Sequence, residues 1–300
     1  METFMITAGQ VKELREATGV GMMECKKALE ECGGDMKRAT TFLREKGLAK
    51  AAKKSGRAAA EGVVAFALSP DQTEAAIIEL NCETDFAGKN ESFRAMSKTL
   101  AQLVLEKKLH SVDEVRKQTL GTNTVDAELV NLVSTIGENI NLRRVSYLKA
   151  NNGFIVAYNH MQGKIGSLVV LEASKDSKTL ELASDIAMHV AASAPRYLDR
   201  TQVGSTELEE EKNILRKQIR ESGKPEAMIE KILEGQVNKF YADSCLLDQP
   251  FVKEPKLSVS QFLKNSGTGA KLTKFVRFQL GEGIEVAKSD FSQEVSELVK

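Results

Sequence analysis

The feature that most constrains the fold of this chain is a strand–turn–strand–loop–helix pattern that occurs twice. In the first copy, apolar runs predict strands at residues 62–67 and 75–80, with a turn between them. A polar loop at 81–90 follows. Apolar residues then recur at helical spacings of three and four, at Phe93, Met96, Leu100, Leu103 and Val104. The pattern predicts a hairpin of two strands followed by a helix with one buried face.

The second copy repeats this order at nearly the same spacing. Strands are predicted at 154–158 and 167–172, with a turn at Gly163, and a polar loop covers 173–177. The helix that follows has its apolar positions at Leu180, Leu182, Ala183, Ile186 and Val190. A repeated unit is the simplest explanation, so we predict an α+β fold whose core is a duplicated unit with antiparallel strands.

The segment before the first copy predicts a compact bundle of three short helices. Thr7 and Gln10 form a capping-box pattern at the start of the first helix. The third helix is capped by Asp35 and is expected to end near Gly47. Residues 48–57 are rich in Ala and Lys and have no large apolar face, which predicts a solvated helical linker and a domain boundary.

Elements of other kinds separate and follow the two copies. Helices are predicted between residues 111 and 136, and a further strand at 142–148. Two helices at 205–243, interrupted by Ser-Gly-Lys-Pro at 222–225, predict an inserted helical hairpin. A strand at 273–280 and a terminal amphipathic helix complete the chain.

The length of 300 residues allows two or three compact domains. We predict a helical domain at 1–56 and a first core subdomain at 57–147. A second core subdomain covers 148–280 and contains the helical hairpin at about 203–243. Residues 281–300 are expected to form a C-terminal helical module.

Composition excludes several classes of protein. Lys and Arg together number 42, as do Asp and Glu, so the basic surplus typical of a nucleic-acid binder is missing. The four cysteines are scattered and fit reduced thiols better than a disulfide framework. No apolar run approaches the roughly 20 residues that span a bilayer, and no signal peptide is evident. We therefore expect a cytoplasmic protein.

The motifs of enzymes and metal sites are also missing. The three histidines, His110, His160 and His189, show no metal-ligand spacing. The Gly-rich stretch at 267–271 lacks the spacing of a phosphate loop, and Leu272 stands where a Mg²⁺-binding hydroxyl would be. We predict a binding protein rather than an enzyme, with no cofactor and no bound metal.

Five stretches, in order along the chain, resemble the bacterial elongation factor Ts family. They lie at 18–29 (TGVGMMECKKAL), 81–90 (NCETDFAGKN), 189–195 (HVAASAP), 249–252 (QPFV) and 281–284 (GEGI). The resemblance implies a ubiquitin-associated-like N-terminal three-helix domain, a two-part α+β core, a helical hairpin and a C-terminal segment. This architecture agrees with the one predicted from periodicity.

The resemblance also implies a function. The partner would be elongation factor Tu, a GTPase, and the task would be guanine nucleotide exchange during translation elongation. A factor that binds the nucleotide-free GTPase more tightly than its GDP form must weaken GDP binding in return. The implied partners include no nucleic acid and no membrane.

The resemblance assigns candidate binding residues to one short motif. Thr84, Asp85, Phe86 and Ala87 match the positions that the family uses for partner binding and for displacing Mg²⁺ from the partner. The family commonly has Val at the last position, so Ala87 is expected to give a smaller contact. The alternative is that Phe86 only packs the loop onto the helix that follows.

Other candidates are less specific. Val20, Met22 and Met23 match a docking stretch of the family, although Met22 alternatively packs the small bundle. His160, expected in the loop after the first strand of the second copy, matches another partner-contacting position, whereas His189 is expected to be a core residue with its polar atoms satisfied. The helical hairpin offers a surface for self-association or for the partner, and the sequence leaves both open.

The sequence is compatible with other functions. The main alternative is an adaptor that binds a ubiquitin-like or other protein tail through its N-terminal domain. The motif around Phe86 and the duplicated core count against it, since an adaptor needs neither. An RNA-binding translation protein would show strongly salt-dependent binding, which the balanced charge does not favour. An unrecognised enzyme is the last alternative.

Overall fold

The structure is a computed structural model that describes residues 6–223 and 225–285, and it confirms the α+β class. The helices are α1 (Ala8–Thr18), α2 (Met22–Glu31), α3 (Met36–Lys54), α4 (Asp85–Lys89), α5 (Glu91–Lys107), α6 (Val112–Arg116), α7 (Val125–Ile136), α8 (Ser177–Ser193), α9 (Ser205–Glu221), α10 (Glu226–Ser244) and α11 (Val259–Asn265). The strands are β1 (Glu61–Leu68), β2 (Glu74–Cys82), β3 (Thr119–Leu120), β4 (Asn123–Thr124), β5 (Asn141–Lys149), β6 (Phe154–His160), β7 (Ile165–Glu172), β8 (Pro250–Phe251), β9 (Glu254–Ser258) and β10 (Lys271–Gln279).

The chain divides into two compact units that alternate along the sequence. The first contains the described residues up to 65, residues 78–146, and those from 279 onward. The second contains residues 66–77 and 147–278.

Helices α1 to α3 form the predicted N-terminal bundle. Thr7 caps α1 with the full capping box, and Asp35 caps α3 by accepting from the backbone N–H groups of Lys37 and Arg38. The bundle core is built around Leu14, Cys25 and Leu29, which are fully buried. The three predicted helices are therefore confirmed.

The end of α3 differs from the prediction. The helix continues through Gly47 to Lys54, because the Ala- and Lys-rich stretch is made of strong helix formers. Gly47 is a packing residue instead of a stop. A Cβ at Gly47 would lie 2.6 Å from the Oγ of Ser134 on α7, so a larger residue here would require the Ser134 side chain to shift.

Both copies of the repeated unit have the predicted order of two strands followed by a helix. The first copy forms a sheet in the order β1-β2-β5, and the second forms a sheet in the order β10-β7-β6. In each sheet the second strand of the copy is central and a third strand lies on its other side. The duplication thus includes β5 and β10, which the sequence did not identify as equivalent. The pairing of β6 with β7 is antiparallel, from Phe154 opposite Leu171 to His160 opposite Ile165.

Two glycines occupy equivalent places in the two copies. Gly62 has a φ of +130° and Gly153 has a φ of +151°. A Cβ at Gly62 would lie 2.1 Å from the carbonyl oxygen of Leu80, and one at Gly153 would lie 2.0 Å from that of Leu171. Each hairpin therefore begins at a point where the partner strand leaves no room for a side chain.

The second unit has its own hydrophobic core. Helix α8 packs on β6 and β7, and its Leu182, Ile186 and Val190 lie in a cluster with Phe154 and Phe251. The predicted helical hairpin is confirmed as α9 and α10. A small cluster made of Ile219, Ile229 and Leu233 joins the two helices.

The β3–β4 hairpin was not predicted, and one predicted element falls mostly outside the described residues. A short β3–β4 hairpin interrupts the predicted helical region between 111 and 136. Residues 267–270 lead from α11 into β10, whose first residue is Lys271. Most of the predicted C-terminal helical module, 281–300, lies outside the described residues. Within the part that is described, no helix is both long and apolar enough to cross a membrane.

Candidate functional site

The motif at 84–87 lies on a short helix rather than in the predicted polar loop. Strand β2 continues to Cys82, and Thr84 then caps α4, with its Oγ1 accepting from the backbone N–H of Ala87 at 3.3 Å. Asn90 ends α4 and also caps α5 by accepting from the N–H groups of Ser92 and Phe93. Two consecutive side-chain caps therefore determine where the motif's helix begins and ends.

Phe86 is the most exposed large hydrophobic residue among those that the structure describes, with 81% of its surface accessible. It lies on the first turn of α4. The Nζ of Lys89 is 5.8 Å from the centre of its ring. The alternative prediction was that Phe86 packs its segment onto the next helix, but a side chain this exposed does not do so. An exposed aromatic ring on a capped helix is suited to contact another molecule.

Asp85 and Ala87 have opposite surroundings. Asp85 forms an ion pair with Lys89, one helical turn away, at 2.6 Å, and both side chains are largely in solvent. Ala87 is only 5% exposed, so its methyl group faces the interior of this chain. A larger residue at position 87 would therefore act first on the packing of α4 and not on a contact with a partner.

Glu138 supports the base of this helix. Its carboxylate accepts hydrogen bonds from the N–H groups of Glu83 and Thr84 and from the hydroxyl of Thr84. The sequence did not indicate this residue, because it lies 54 residues from Thr84 and no local pattern relates the two positions. Only the arrangement of α7 and β5 brings it there.

The N-terminal candidates differ in exposure. Met22 and Met23 begin α2 and are 51% and 67% exposed, so neither is a core residue of the bundle. Val20, in contrast, lies in the bundle core. Its carbonyl oxygen accepts a hydrogen bond from the Sγ of Cys25 at 3.4 Å. Val20 thus shapes the turn that presents the two methionines.

The two histidines of the second unit differ in exposure. His160 is exposed and is the last residue of β6 rather than part of the loop after it. Its ring stacks on that of Tyr158, with the centroids 6.0 Å apart, and its Nδ1 lies 3.3 Å from the Tyr158 hydroxyl. His189 is fully buried on α8, and its ring nitrogens meet Gln249 and the backbone N–H of Val252. The prediction of a satisfied core histidine is confirmed.

Comparisons with known proteins identify the family. A family profile described as Elongation factor TS matches residues 83–282. The elongation factor Ts of Clostridium kluyveri is 45% identical over 304 aligned positions that cover 99% of each chain. That of Magnetococcus marinus is 46% identical over 98% of this chain and 99% of the relative. The elongation factor Ts of Clostridium novyi is 47% identical over 97% of this chain and 98% of its own.

The chain belongs to the elongation factor Ts family. The resemblance drawn from the five stretches is thereby confirmed, and membership places the chain among the translation elongation factors of protein biosynthesis. The matched region of the family profile begins at Glu83, next to the candidate motif, and ends at Glu282. The N-terminal bundle is covered by the full-length relatives.

Within 6–223 and 225–285, no group of three or more His, Cys, Asp or Glu side chains is arranged to hold an ion.

Proposed function

We propose that this chain is a guanine nucleotide exchange factor for elongation factor Tu, acting in the cytoplasm, where translation runs. Membership of the elongation factor Ts family supports this role. The physical basis is thermodynamic linkage. If the factor binds the nucleotide-free GTPase more tightly than the GDP form, bound factor must weaken GDP binding by the same ratio. The activity requires differential contacts and no bond-making chemistry.

The observation that carries the proposal is the exposure of Phe86 at 81% on a helix capped at both ends. Most large apolar side chains among the described residues are buried. Covering an aromatic ring that is otherwise exposed to water lowers the free energy of the complex. We propose that the ring enters an apolar cleft of the GTPase and displaces packed elements there.

Asp85 has a second part in the proposed mechanism. In the free protein its carboxylate pairs with Lys89 in solvent, where such a pair contributes little to stability. The carboxylate can therefore exchange this contact for polar groups of the partner at small cost. Near a Mg²⁺ site, an added negative charge competes with the ligands that hold the metal, and a displaced metal weakens GDP binding.

The remaining candidates extend the proposed interface. Met22 and Met23 present flexible, polarizable side chains at the start of α2, which suit a binding surface. His160 presents an exposed ring that Tyr158 orients by stacking. We propose that these contacts provide affinity for both forms of the GTPase. The contact of Phe86 is proposed to make the affinity for the nucleotide-free form higher than that for the GDP-bound form.

The test is the release of a fluorescent GDP analogue from elongation factor Tu in a stopped-flow instrument. We expect the intact protein to accelerate release. The Phe86→Ala variant should lower the maximal rate by about thirtyfold, equivalent to the roughly 2 kcal/mol typical of a buried aromatic anchor. The matched control is Leu48→Ala, which removes another exposed apolar side chain and should leave the rate unchanged.

The measured release rates distinguish the role of Phe86 from the exchange function as a whole. If Phe86→Ala and intact protein accelerate release equally, exchange activity stands but Phe86 is not the residue that drives it. If the intact protein has no effect on release, the exchange function is wrong, and the N-terminal bundle with its two exposed methionines would then favour the adaptor function.

A further inference from the structure

The carboxylate of Glu138 is bound to the segment that carries Phe86 by three hydrogen bonds. Its Oε2 accepts from the N–H of Thr84 at 2.9 Å and from the N–H of Glu83 at 3.0 Å. Its Oε1 accepts from the hydroxyl of Thr84. Glu138 immediately follows Gly137, the left-handed residue that ends α7, so the backbone that carries this carboxylate is itself held by a helix end.

The hydroxyl of Thr84 relays this contact to α4. Because it donates its proton to Glu138, its lone pairs are oriented to accept the N–H of Ala87 at 3.3 Å. A hydroxyl that both donates to a carboxylate and accepts from a backbone amide is held in a single orientation, and hydrogen bonds in such a chain strengthen one another. The start of the helix that presents Phe86 thus depends on Glu138.

The carboxylate of Glu83 makes a second connection between the same two segments, this time by accepting from the segment that follows α7. The Oε1 of Glu83 accepts the backbone N–H of Asn139 at 2.6 Å, and its other oxygen lies 3.5 Å from the Nη1 of Arg57. The amide of Asn139 donates to the carbonyl oxygen of Arg57 at 2.8 Å. We call these contacts of Glu83, Glu138 and Asn139 the carboxylate clasp. It connects the motif to the segment that follows α3.

Helix α4 needs support of this kind. It has five residues, and a helix of that length is unstable alone because the cost of ordering its first turn is not recovered by later hydrogen bonds. If α4 became ordered only on binding, the entropy lost in ordering it would offset part of the binding free energy. A clasp that holds α4 in advance leaves the contact of Phe86 available to act on the partner.

We propose that Glu138 is a positioning residue for nucleotide exchange, holding α4 so that Phe86 is presented in one orientation. Its carboxylate contacts Glu83 and Thr84, and it acts on the helix of Phe86 through Thr84. This inference rests on the proposed function of Phe86. It predicts that the effect of Glu138 on exchange passes through the Phe86 ring.

The first measurement does not involve the partner. Hydrogen exchange of backbone amides is measured on the free, full-length chain and on Glu138→Ala and Glu138→Gln. We expect the amides of Ala87 and Gly88 to exchange at least about tenfold faster in Glu138→Ala, as lost hydrogen bonds worth about 1.4 kcal/mol imply. Glu138→Gln keeps one acceptor oxygen and should lie between, while amides of α8 should not change.

The second measurement is a double-mutant cycle on GDP release from elongation factor Tu. Glu138→Ala should lower the maximal rate by about tenfold, with a smaller change in the concentration giving half the maximal rate. In the Phe86→Ala background the same substitution should change the rate by less than about twofold, since the two residues act as a unit. The matched control is Glu114→Ala, which removes a carboxylate that holds the backbone N–H groups of His110 and Ser111 at the start of α6.

Two results overturn the positioning role. One is unchanged exchange of the Ala87 and Gly88 amides in Glu138→Ala. The other is an equal loss of rate in both backgrounds, which would mean that Glu138 acts independently of Phe86. Failure of the proposed role of Phe86 looks different, because Phe86→Ala would then accelerate GDP release as much as the intact protein does, while the amides of α4 would still respond to Glu138→Ala. Failure of the exchange function itself would leave GDP release unaffected by the intact protein.

Discussion

Phe86 and Ala87 are neighbours on one short helix, yet one is 81% exposed and the other 5%. Both are apolar, so their composition predicts nothing about which faces a partner. Helical geometry decides it, because consecutive residues point about 100° apart around the axis. The consequence is that a substitution at Ala87 would act on the packing of α4.

His189 is a buried titratable residue in the core of the second unit. Its Nδ1 accepts the N–H of Val252 at 3.1 Å, so the neutral ring carries its proton on Nε2 and donates it to Gln249 at 3.0 Å. Burial lowers the pKa of His189 below its ordinary value of 6.5, although the hydrogen bond with Gln249 opposes the shift. Protonation of Nδ1 would give it an N–H that faces the backbone N–H of Val252, so two donors would oppose each other.

We expect stability to depend on pH through His189. Because the folded pKa is lowered, the unfolded chain takes up a proton first as the pH falls below 6.5, and the stabilising contribution is lost between that value and the folded pKa. His189→Gln should cost about 1–3 kcal/mol near neutral pH. The difference from the natural chain should shrink as the pH is lowered.

The measurement is urea unfolding of both proteins across this pH range. Titrations of other groups are shared by the two proteins and cancel in the difference. A difference in unfolding free energy that stays constant with pH would contradict the prediction.

At the scale of elements, the helical hairpin is joined by a small apolar cluster. The joining cluster consists of Ile219, Ile229 and Leu233, with Leu215, Ile232 and Val237 partly buried around it. The outer surface carries charges in pairs, such as Arg216 with Glu230 at 3.2 Å. Such exposed pairs contribute little, so the apolar cluster accounts for most of the hairpin's stability.

Leu233→Ala should therefore open the hairpin. We expect a loss of about 2 kcal/mol in the local opening free energy, at the low end for buried leucine because two helices alone can partly close the gap. Hydrogen exchange of the amides in α9 and α10 measures it. Ile214→Ala, on the exposed side of α9, should change these amides by less than about 0.5 kcal/mol. Equal effects of the two variants would refute the assignment of this cluster.

At the scale of the whole molecule, residues distant in sequence meet around one buried carboxylate in the first unit. Glu79 is fully buried on β2 and pairs with Arg143 at 3.2 Å and with Arg144, both on β5. It also accepts the backbone N–H of Gly281 at 2.9 Å. Arg144 pairs in turn with Glu282 at 3.2 Å. The chain's last described segment is thus held by charges from two strands.

Glu79→Gln should be strongly destabilising. It leaves two guanidinium groups beside a neutral amide, and removing one partner of a buried ion pair typically costs about 3–5 kcal/mol. Chemical denaturation measures the change. Glu16→Gln makes the same substitution in the exposed Lys12–Glu16 pair and should cost less than about 0.5 kcal/mol. A Glu79→Gln protein as stable as the Glu16→Gln protein would show that the network contributes nothing.

The sequence alone determined the order of the principal elements and the family. Periodicity of two and of three to four reports which side of a strand or helix is buried, and capping residues such as Thr7 and Asp35 act on neighbouring amides, so both signals are local. The duplicated strand–strand–helix unit and the helical hairpin were predicted for this reason. The motif around Phe86 was found by its likeness to a family.

Tertiary structure decided what depends on residues far apart in the chain. Gly47 packs against Ser134 of another helix, β10 completes the second sheet as β5 completes the first, and Glu138 reaches Thr84 across 54 positions. No local pattern encodes these contacts, since each depends on where the whole fold brings two distant segments. The order of the elements can be read from neighbouring residues, whereas the support of the candidate site is a property of the folded chain.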